Sequence, residues 1–432
     1  MKLAARLDHI DPFYVMECAK AAAEIARGPL CDPTQGGRRM IYLNIGEPDF
    51  TAPPPVQAAA QAAIEAGRTQ YTDALGLLAL RRSISGWYAS RFGVAVDPGR
   101  IIITAGASAA LQLACLALFE AGDEVLMPDP SYPCNRHFVA AAGARALGLP
   151  AGPQARFQLD AQSVRQAWTP RTRGVVLASP SNPTGTSIAA PTLTAIVEQV
   201  RARGGVTLVD EIYLGLSYDE QFAHTALALG DDVISVNSFS KYFSMTGWRL
   251  GWLVVPPALV APIEKLQQNL FICASTVAQQ AALACFEPES LAEYERRRAA
   301  FKARRDLVVP ALNAMGLTVH GRPARGDAAP EHSVGVSFRG LTSAEFGHSS
   351  RTLIHWVGTN PRLQRLSFTA CDGPFSGARL PLPPRRKPPR FSIPRLRPRW
   401  WWILPTHLVV GTRLLRRTLT QSPGNRPPPL VT

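Results

Sequence analysis

From about residue 100 onward the chain alternates between two hydrophobic periods. "RIIIT" (100–104) is a short β-branched run and predicts a strand. "ASAALQLACLALF" (107–119) follows with apolar residues at helical spacing. The alternation continues with "DEVLMP" as strand, "YPCNRHFVAAAG" as helix, "RGVVLASP" as strand and "APTLTAIVEQVRARG" as helix. Three further strands are read in "GVTLVDEIY", "DVISVNSFS" and "WRLGWLVV". Short apolar strands between amphipathic helices predict a mostly parallel sheet covered on both faces. Two long helical stretches are expected at 257–286 and 288–315, the second with the charges of "EYERRRAAFKARRD" mostly on solvated faces. Near the start, "PFYVMECAKAAAEIARG" predicts one amphipathic helix stopped by Gly28. No internal repeat is present.

Length and charge refine this picture. A chain of 432 residues exceeds one ordinary core, so two domains or a large α/β domain with an appendage are expected. The formal charge of +14 is unevenly placed. Residues 1–319 hold 28 Lys+Arg against 28 Asp+Glu, whereas residues 320–432 hold 18 against 4. The same 113-residue end carries 16 of the 38 prolines and half of the tryptophans. The overall charge is therefore no argument for a nucleic-acid or membrane partner, and neither is expected. The cysteines at 18, 31, 115, 134, 273, 285 and 371 form no C-x-x-C pair, which argues against a metal site and for a reducing cytoplasm. "MKLAARLDHIDPF" lacks the apolar core of a signal peptide, and "WWWILPTHLVV" is short and broken by Pro405.

Four strand ends carry candidate chemistry, and parallel sheets bind ligands at the carboxyl ends of their strands. In "TAGASAAL" (104–111), Gly106 leads into a helix whose exposed amides and dipole favour a phosphate. In "ASPSNPTG" (178–185), Asn182 sits between proline-constrained turns and suits hydrogen bonding to a ligand oxygen. In "VTLVDEIY" (206–213), Asp210 ends an apolar strand, where a carboxylate must be paired or become protonated, and Tyr213 follows. In "NSFSKYFSMTGWRLGWLV" (237–254), Lys241 lies in an apolar setting. Desolvation lowers a lysine's pKa, and the neutral amine attacks aldehydes to form a Schiff base. Each signal also has an ordinary structural reading: a tight turn, a turn asparagine, a capping aspartate and a loop lysine. Together they ask for one ligand with a phosphate, an aldehyde, a ring oxygen and a basic ring nitrogen, and pyridoxal 5'-phosphate has all four.

Seven motifs carry a family resemblance: "LNIGEPDF" (43–50), "YTDALGLLALRRSI" (71–84), "ITAGASAAL" (103–111), "DPSYP" (129–133), "SNPTG" (181–185), "DEIY" (210–213) and "SFSKYFSMTGWRLGW" (238–252). In order and spacing they resemble the class I/II aminotransferases, fold-type I pyridoxal-phosphate enzymes of the aspartate aminotransferase superfamily. The resemblance runs over roughly residues 10–319. It implies a three-layer α/β/α large domain with a mostly parallel sheet, plus a smaller α+β domain. It also implies transfer of an amino group from an L-amino acid to a 2-oxo acid. By the same resemblance, Lys241 holds the cofactor and shuttles the substrate proton, and Asp210 keeps the ring nitrogen protonated. Tyr213 and Asn182 bind the ring's 3-oxygen, and Tyr132 stacks on the ring. Ser238, Arg249 and the backbone of Ala107 and Ser108 hold the phosphate. Tyr71 reaches the phosphate of a neighbouring subunit, implying a homodimer, and Gly46 lies against the substrate carboxylate.

The pattern changes after "MGLTV" (315–319). The family continues with a "DGAFY"-like strand of the small domain, whereas this chain reads "HGRPARGDAAPEHSVGVSFRG". The expected division is therefore residues 1–44 as an N-terminal helix and arm of the small domain, 45–286 as the cofactor-binding domain, 287–319 as the start of an incomplete small domain, and 320–432 as a basic Pro/Arg-rich tail. A frame change near 319–325 accounts for that tail, and a disordered basic extension is the alternative. "LQRLSFTA" (363–370) resembles the family's carboxylate-binding segment and makes Arg365 a candidate substrate ligand. Other chemistry on the same cofactor, such as β-elimination, and an impaired product of a damaged gene remain alternative readings. A cofactor-sensing transcription regulator is disfavoured, because too few residues precede the body for a helix-turn-helix domain.

Overall fold

The computed structural model describes residues 2–37, 40, 42, 45–314 and 319, and the statements below refer to these. They fall into two units. The smaller, within residues 14–42, contains helix α1 (Tyr14–Ala26), close to the helix expected at 12–28. The remaining residues form the larger unit.

The larger unit is organised around seven strands: β1 (Ile101–Thr104), β2 (Glu124–Asp129), β3 (Arg145–Pro150), β4 (Thr172–Ala178), β5 (Val206–Asp210), β6 (Ile234–Ser238) and β7 (Gly251–Val254). Their order across the sheet is β1-β7-β6-β5-β4-β2-β3. β7 runs antiparallel to both neighbours, and every other pairing is parallel. Helices α2 (Pro54–Glu65), α3 (Leu78–Phe92), α4 (Gly106–Leu118), α5 (Pro133–Ala141), α6 (Ala161–Ala167), α7 (Ala190–Arg201), α8 (Pro257–Leu270), α9 (Thr276–Leu283) and α10 (Pro288–Ala314) complete the larger unit.

Alternation along the strands divides the core into layers. Ile101, Ile103, Trp252 and Val254 face a cluster that includes Val56 of α2, Leu80 and Ile84 of α3 and Ala281 of α9. Ile102, Leu253 and Val255 face the opposite side with Ala110, Leu113 and Ala114 of α4 and Ile263 of α8. Leu126, Val175, Leu177 and Val209 pack with Leu193, Ile196 and Val197 of α7. Helices therefore cover both faces of a mostly parallel sheet, as expected.

Three expectations change. The stretch 257–286 is not one helix: α8 stops at Leu270, and α9 begins at Thr276 after Ser275 accepts from the Ala278 N–H. Ile272, between them, takes a left-handed φ of 64°, an unfavourable conformation for a β-branched residue. The strands read as "GVTLVDEIY" and "WRLGWLVV" shrink to Val206–Asp210 and Gly251–Val254, with Trp248 ending a short 3-10 helix instead. The arginines of α10 are less solvated than expected. Arg297 is 7% exposed, packs over Phe50 and donates to the Thr51 carbonyl. Arg304 pairs with Asp49 at 2.8 Å. These contacts hold residues 49–51, just beyond Gly46, against α10.

Candidate active site

Register brings the candidate residues to one end of the strands. Ala178 pairs with Asp210, Asp210 with Val236, and Ser238 with Gly251, which in turn pairs with Thr104. The turns that leave β1, β4, β5 and β6 at their carboxyl ends therefore emerge side by side.

Lys241 lies in the turn after β6. An aromatic cluster braces that turn from below: Phe239 packs on Trp252 and Phe243 at 5.0 Å each, and Tyr242 on Phe243 at 4.9 Å. The Tyr242 hydroxyl also donates to Glu295 of α10 at 2.7 Å. Placed this way, Lys241 extends its amine to the carbonyl of Gly46 at 2.6 Å and lies 5.5 Å from the centre of the Tyr213 ring. Burial lowers its pKa to about 8, helped by the charge of Arg249 and opposed by Asp210. The loop-lysine reading thus gives way to a desolvated amine.

Asp210 is 6% exposed. Its Oδ1 accepts the Ile212 N–H at 3.1 Å, which steadies the turn after β5, and it caps no helix: the next helical turn, Leu214–Leu216, starts after Tyr213. Burial pushes its carboxyl up to about 6, against the Ile212 bond and the charge of Lys241. Among the described residues it forms no ion pair. Tyr213 is 7% exposed, and its phenol oxygen accepts from Asn182 Nδ2 at 3.3 Å. Burial pushes the Tyr213 phenol up, with Asp210 adding to the effect. Tyr132 precedes α5, its ring 6.0 Å from that of Phe13 in an edge-on arrangement. Its phenol is also raised, mainly by burial, with Tyr213 and Asp210 among the charges that act on it.

A second group forms at the start of α4. Ala105, which precedes the helix, offers its amides no side-chain cap. A side chain at Gly106 (φ 81°) would meet the guanidinium of Arg249 at 2.8 Å, so Arg249 lies over the helix start. Arg249 itself has φ 53°, is exposed, and forms no ion pair among the described residues. Gly251 has the corresponding role in the sheet: a Cβ there would meet the Ala107 N and Asn237 O at 2.8 Å. That close approach sets the first turn of α4 against β6 and β7. Ser238 Oγ donates to Ser240 Oγ at 2.9 Å and accepts from the Ser240 N–H at 3.0 Å, while Ser108 is exposed on the first turn of α4.

The structure therefore brings together Gly46, Asn182, Asp210, Tyr213 and Lys241 in one group, with Tyr132 electrostatically linked to it, and gathers Ala107, Ser108, Ser238 and Arg249 around the start of α4. Tyr71 is 79% exposed and makes no hydrogen bond to any of them. Arg365 and the tail lie outside the described residues. Ser240, Gly251 and Glu211 were not singled out from sequence. The repeated serine of "SFS" is the signal that could have found the first of these, whereas the close approach at Gly251 depends on β7 pairing beside β1. The described residues contain no group of His, Cys, Asp or Glu placed to hold a metal, and no helix long and apolar enough to cross a membrane.

Comparison with known proteins fits this geometry. A family model described as aminotransferase class I and II matches residues 38–325. A valine–pyruvate aminotransferase of Mycobacterium tuberculosis is 41% identical over 309 residues, which is 71% of this chain and 77% of the relative. An arginine–pyruvate transaminase of Pseudomonas aeruginosa is 36% identical over 313 residues, 72% of this chain and 78% of the relative. Among solved structures, an aminotransferase from Mycobacterium tuberculosis superposes with a TM-score of 0.68 at 40% identity, over 73% of this chain and 79% of the other. An aspartate aminotransferase from Thermus thermophilus with maleate gives 0.67 at 29% identity, over 73% and 81%.

Proposed function

The chain belongs to the class I and II aminotransferases, and on that premise we propose that it moves an amino group from an L-amino acid to a 2-oxo acid, with pyridoxal 5'-phosphate held as a Schiff base on Lys241. Members of this family use that cofactor. The residues present fit it on three counts. A buried carboxylate without an ion-pair partner suits a ring N–H, an uncapped helix start under an arginine bonded, among the described residues, only to the Thr246 carbonyl suits a phosphate, and a desolvated amine suits an aldehyde. When bound, the cofactor supplies an electron sink for charge developing at the substrate Cα.

In this proposal each residue has one task. Asp210 holds the ring nitrogen in its protonated form. Asn182 and Tyr213, already bonded to each other, bind the ring's 3-oxygen, and Tyr132 stacks on the ring. Ser238, Arg249 and the amides of Ala107 and Ser108 hold the phosphate. Lys241 would hold the cofactor's aldehyde, and once the substrate's amine displaces it, its free amine, with a pKa near 8, would carry the proton between the substrate Cα and the cofactor's C4′. Gly46, whose carbonyl already accepts from Lys241, lies against the substrate carboxylate. Tyr71, exposed on this chain, reaches the site of a second copy in a homodimer. A cytoplasmic location belongs to the same reading, consistent with free cysteines throughout the described residues.

The observation that carries the proposal is the Lys241 amine, bonded to the Gly46 carbonyl and 5.5 Å from the Tyr213 ring, gathered at the carboxyl ends of the strands with the buried Asp210 carboxyl. Two relatives have pyruvate in their names, so pyruvate is the acceptor to test first. The loaded protein is expected to lose its visible band on addition of L-valine or L-arginine and to regain it with pyruvate. Ammonia release independent of the oxo acid would mark elimination instead.

A further inference from the structure

Beside Asp210 the chain carries a second buried carboxylate with no task in the scheme above. Glu211 is 1% exposed. Its Oε2 accepts from Ser235 Oγ at 2.6 Å and from Thr225 Oγ1 at 2.8 Å, and its Oε1 accepts from the Ala226 N–H at 2.7 Å. Its own N–H donates to the Val236 carbonyl at 2.8 Å, just as the Ser179 N–H donates to the Asp210 carbonyl at 3.0 Å. The sheet ladder thus runs past the end of β5 and clamps residues 210 and 211 between β4 and β6. Consecutive residues of an extended chain project to opposite sides. Asp210 serves the site, and Glu211 ties the same segment to β6 and to the 225–226 turn.

Three bonds would suffice for a purely structural strut, and a neutral amide could make all three. The oxygen of a glutamine accepts the Ala226 N–H, and its NH2 donates to the two hydroxyls, each of which can turn to accept. A carboxylate adds charge. Burying that charge is costly, and burial pushes the Glu211 carboxyl up to about 7, opposed by its three bonds and reinforced by Asp210. The titratable groups coupled to it are Asp210 on the same strand and Tyr88 of α3, whose phenol burial and the Glu211 charge both push up. Asp210 is coupled in turn to Lys241, Tyr213 and Tyr132.

We propose that Glu211 is a positioning residue for Asp210: its bonds fix the end of β5, and its charge, on the other side of the same strand, strengthens the hold of Asp210 on the proton of the cofactor's ring nitrogen. This rests on the role given to Asp210 above. The charge reaches Lys241 through Asp210, which is coupled to both. Two unit charges at neighbouring strand positions, at the effective dielectric of a protein interior, shift a titration on the order of one pH unit.

The test compares wild type, Glu211→Gln and Ser235→Ala, each loaded with pyridoxal phosphate, by titrating the visible absorbance against pH. Thermal unfolding of the cofactor-free proteins runs alongside. Glu211→Gln keeps the bonding pattern, so it is expected to unfold within a few degrees of wild type. Its absorbance midpoint is expected to fall by about one pH unit. Ser235→Ala removes one donor from the ionised form and is expected to shift the midpoint the same way by less, which decides the matter if Glu211→Gln does not fold. A loaded Glu211→Gln, or in its absence Ser235→Ala, with the wild-type midpoint overturns the role of Glu211 and leaves the function standing. A wild-type protein that takes up no cofactor overturns both.

Discussion

Replacing Lys241 by methionine should stabilise the cofactor-free protein, although it removes the residue on which the chemistry depends. Methionine keeps much of the lysine stem and discards the amine. In the folded chain that amine has a pKa near 8 against an ordinary 10.5. The difference of about 2.5 units, at 1.36 kcal/mol per unit, is about 3 kcal/mol of strain on the charged form. The folded value is the lower one, so the unfolded chain binds more protons between about pH 8 and 10.5. Stability then rises with pH through that window, and the full penalty is present below it. Loss of the bond to the half-buried Gly46 carbonyl returns about 1 kcal/mol. Lys241→Met is therefore expected to be about 2 kcal/mol more stable than wild type at pH 7, with the gap closing as pH approaches 10.5. Urea denaturation of both cofactor-free proteins at several pH values measures the gap directly; titrations of groups not coupled to Lys241 cancel in the difference, and Asp210, which is coupled to it, titrates below the pH 8–10.5 window. A variant no more stable than wild type at pH 7, or a gap that does not change with pH, would refute the reasoning.

Other perturbations separate the parts of the site. Asp210→Asn removes a carboxyl held near 6 in the fold, above its ordinary value of 3.8. Wild-type stability therefore falls as pH rises through about 4–6, and the cofactor-free variant should gain up to about 3 kcal/mol over wild type above that window, by the same denaturation series. Arg249→Ala should weaken cofactor binding roughly 10- to 100-fold in equilibrium dialysis, the loss of a charge-assisted contact, and leave unfolding of the cofactor-free protein nearly unchanged because Arg249 is exposed. Gly251→Ala forces a Cβ against backbone atoms of Ala107 and Asn237. It should cost about 1–3 kcal/mol in thermal or urea unfolding and loosen cofactor binding as the start of α4 is pushed away.

The parts of the fold legible in the sequence were those whose burial leaves a clear period. β1, β2, β4, β5 and β6 are short runs rich in β-branched or long apolar residues, and their strand assignment followed directly. β3 was missed because "RALGLP" lies at the sheet edge, half exposed, without a β-branched residue and with Gly148 and Pro150 inside it. α3 was missed for a related reason: "LALRRSISGWYASRF" buries an arginine and a tyrosine on one face and shows little amphipathic contrast. The break between α8 and α9 carries no glycine or proline. It is made by the left-handed Ile272, a tertiary demand that local pattern does not announce. At the site, Lys241, Asp210, Asn182 and Tyr213 stood out because each is a polar residue at the end of an apolar strand. The network under Lys241, from Tyr242 to Glu295, joins positions far apart in the chain, and Gly251 matters only once β7 pairs antiparallel beside β1. Neither is visible before the chain is folded.

The most direct test of the central claim is to load the protein with pyridoxal phosphate, reduce it with borohydride and map the adduct by peptide mass spectrometry. A single phosphopyridoxyl mass shift on Lys241 is expected, abolished by competition with an amino-acid substrate before reduction. An adduct on another lysine, or none at all, would contradict that claim.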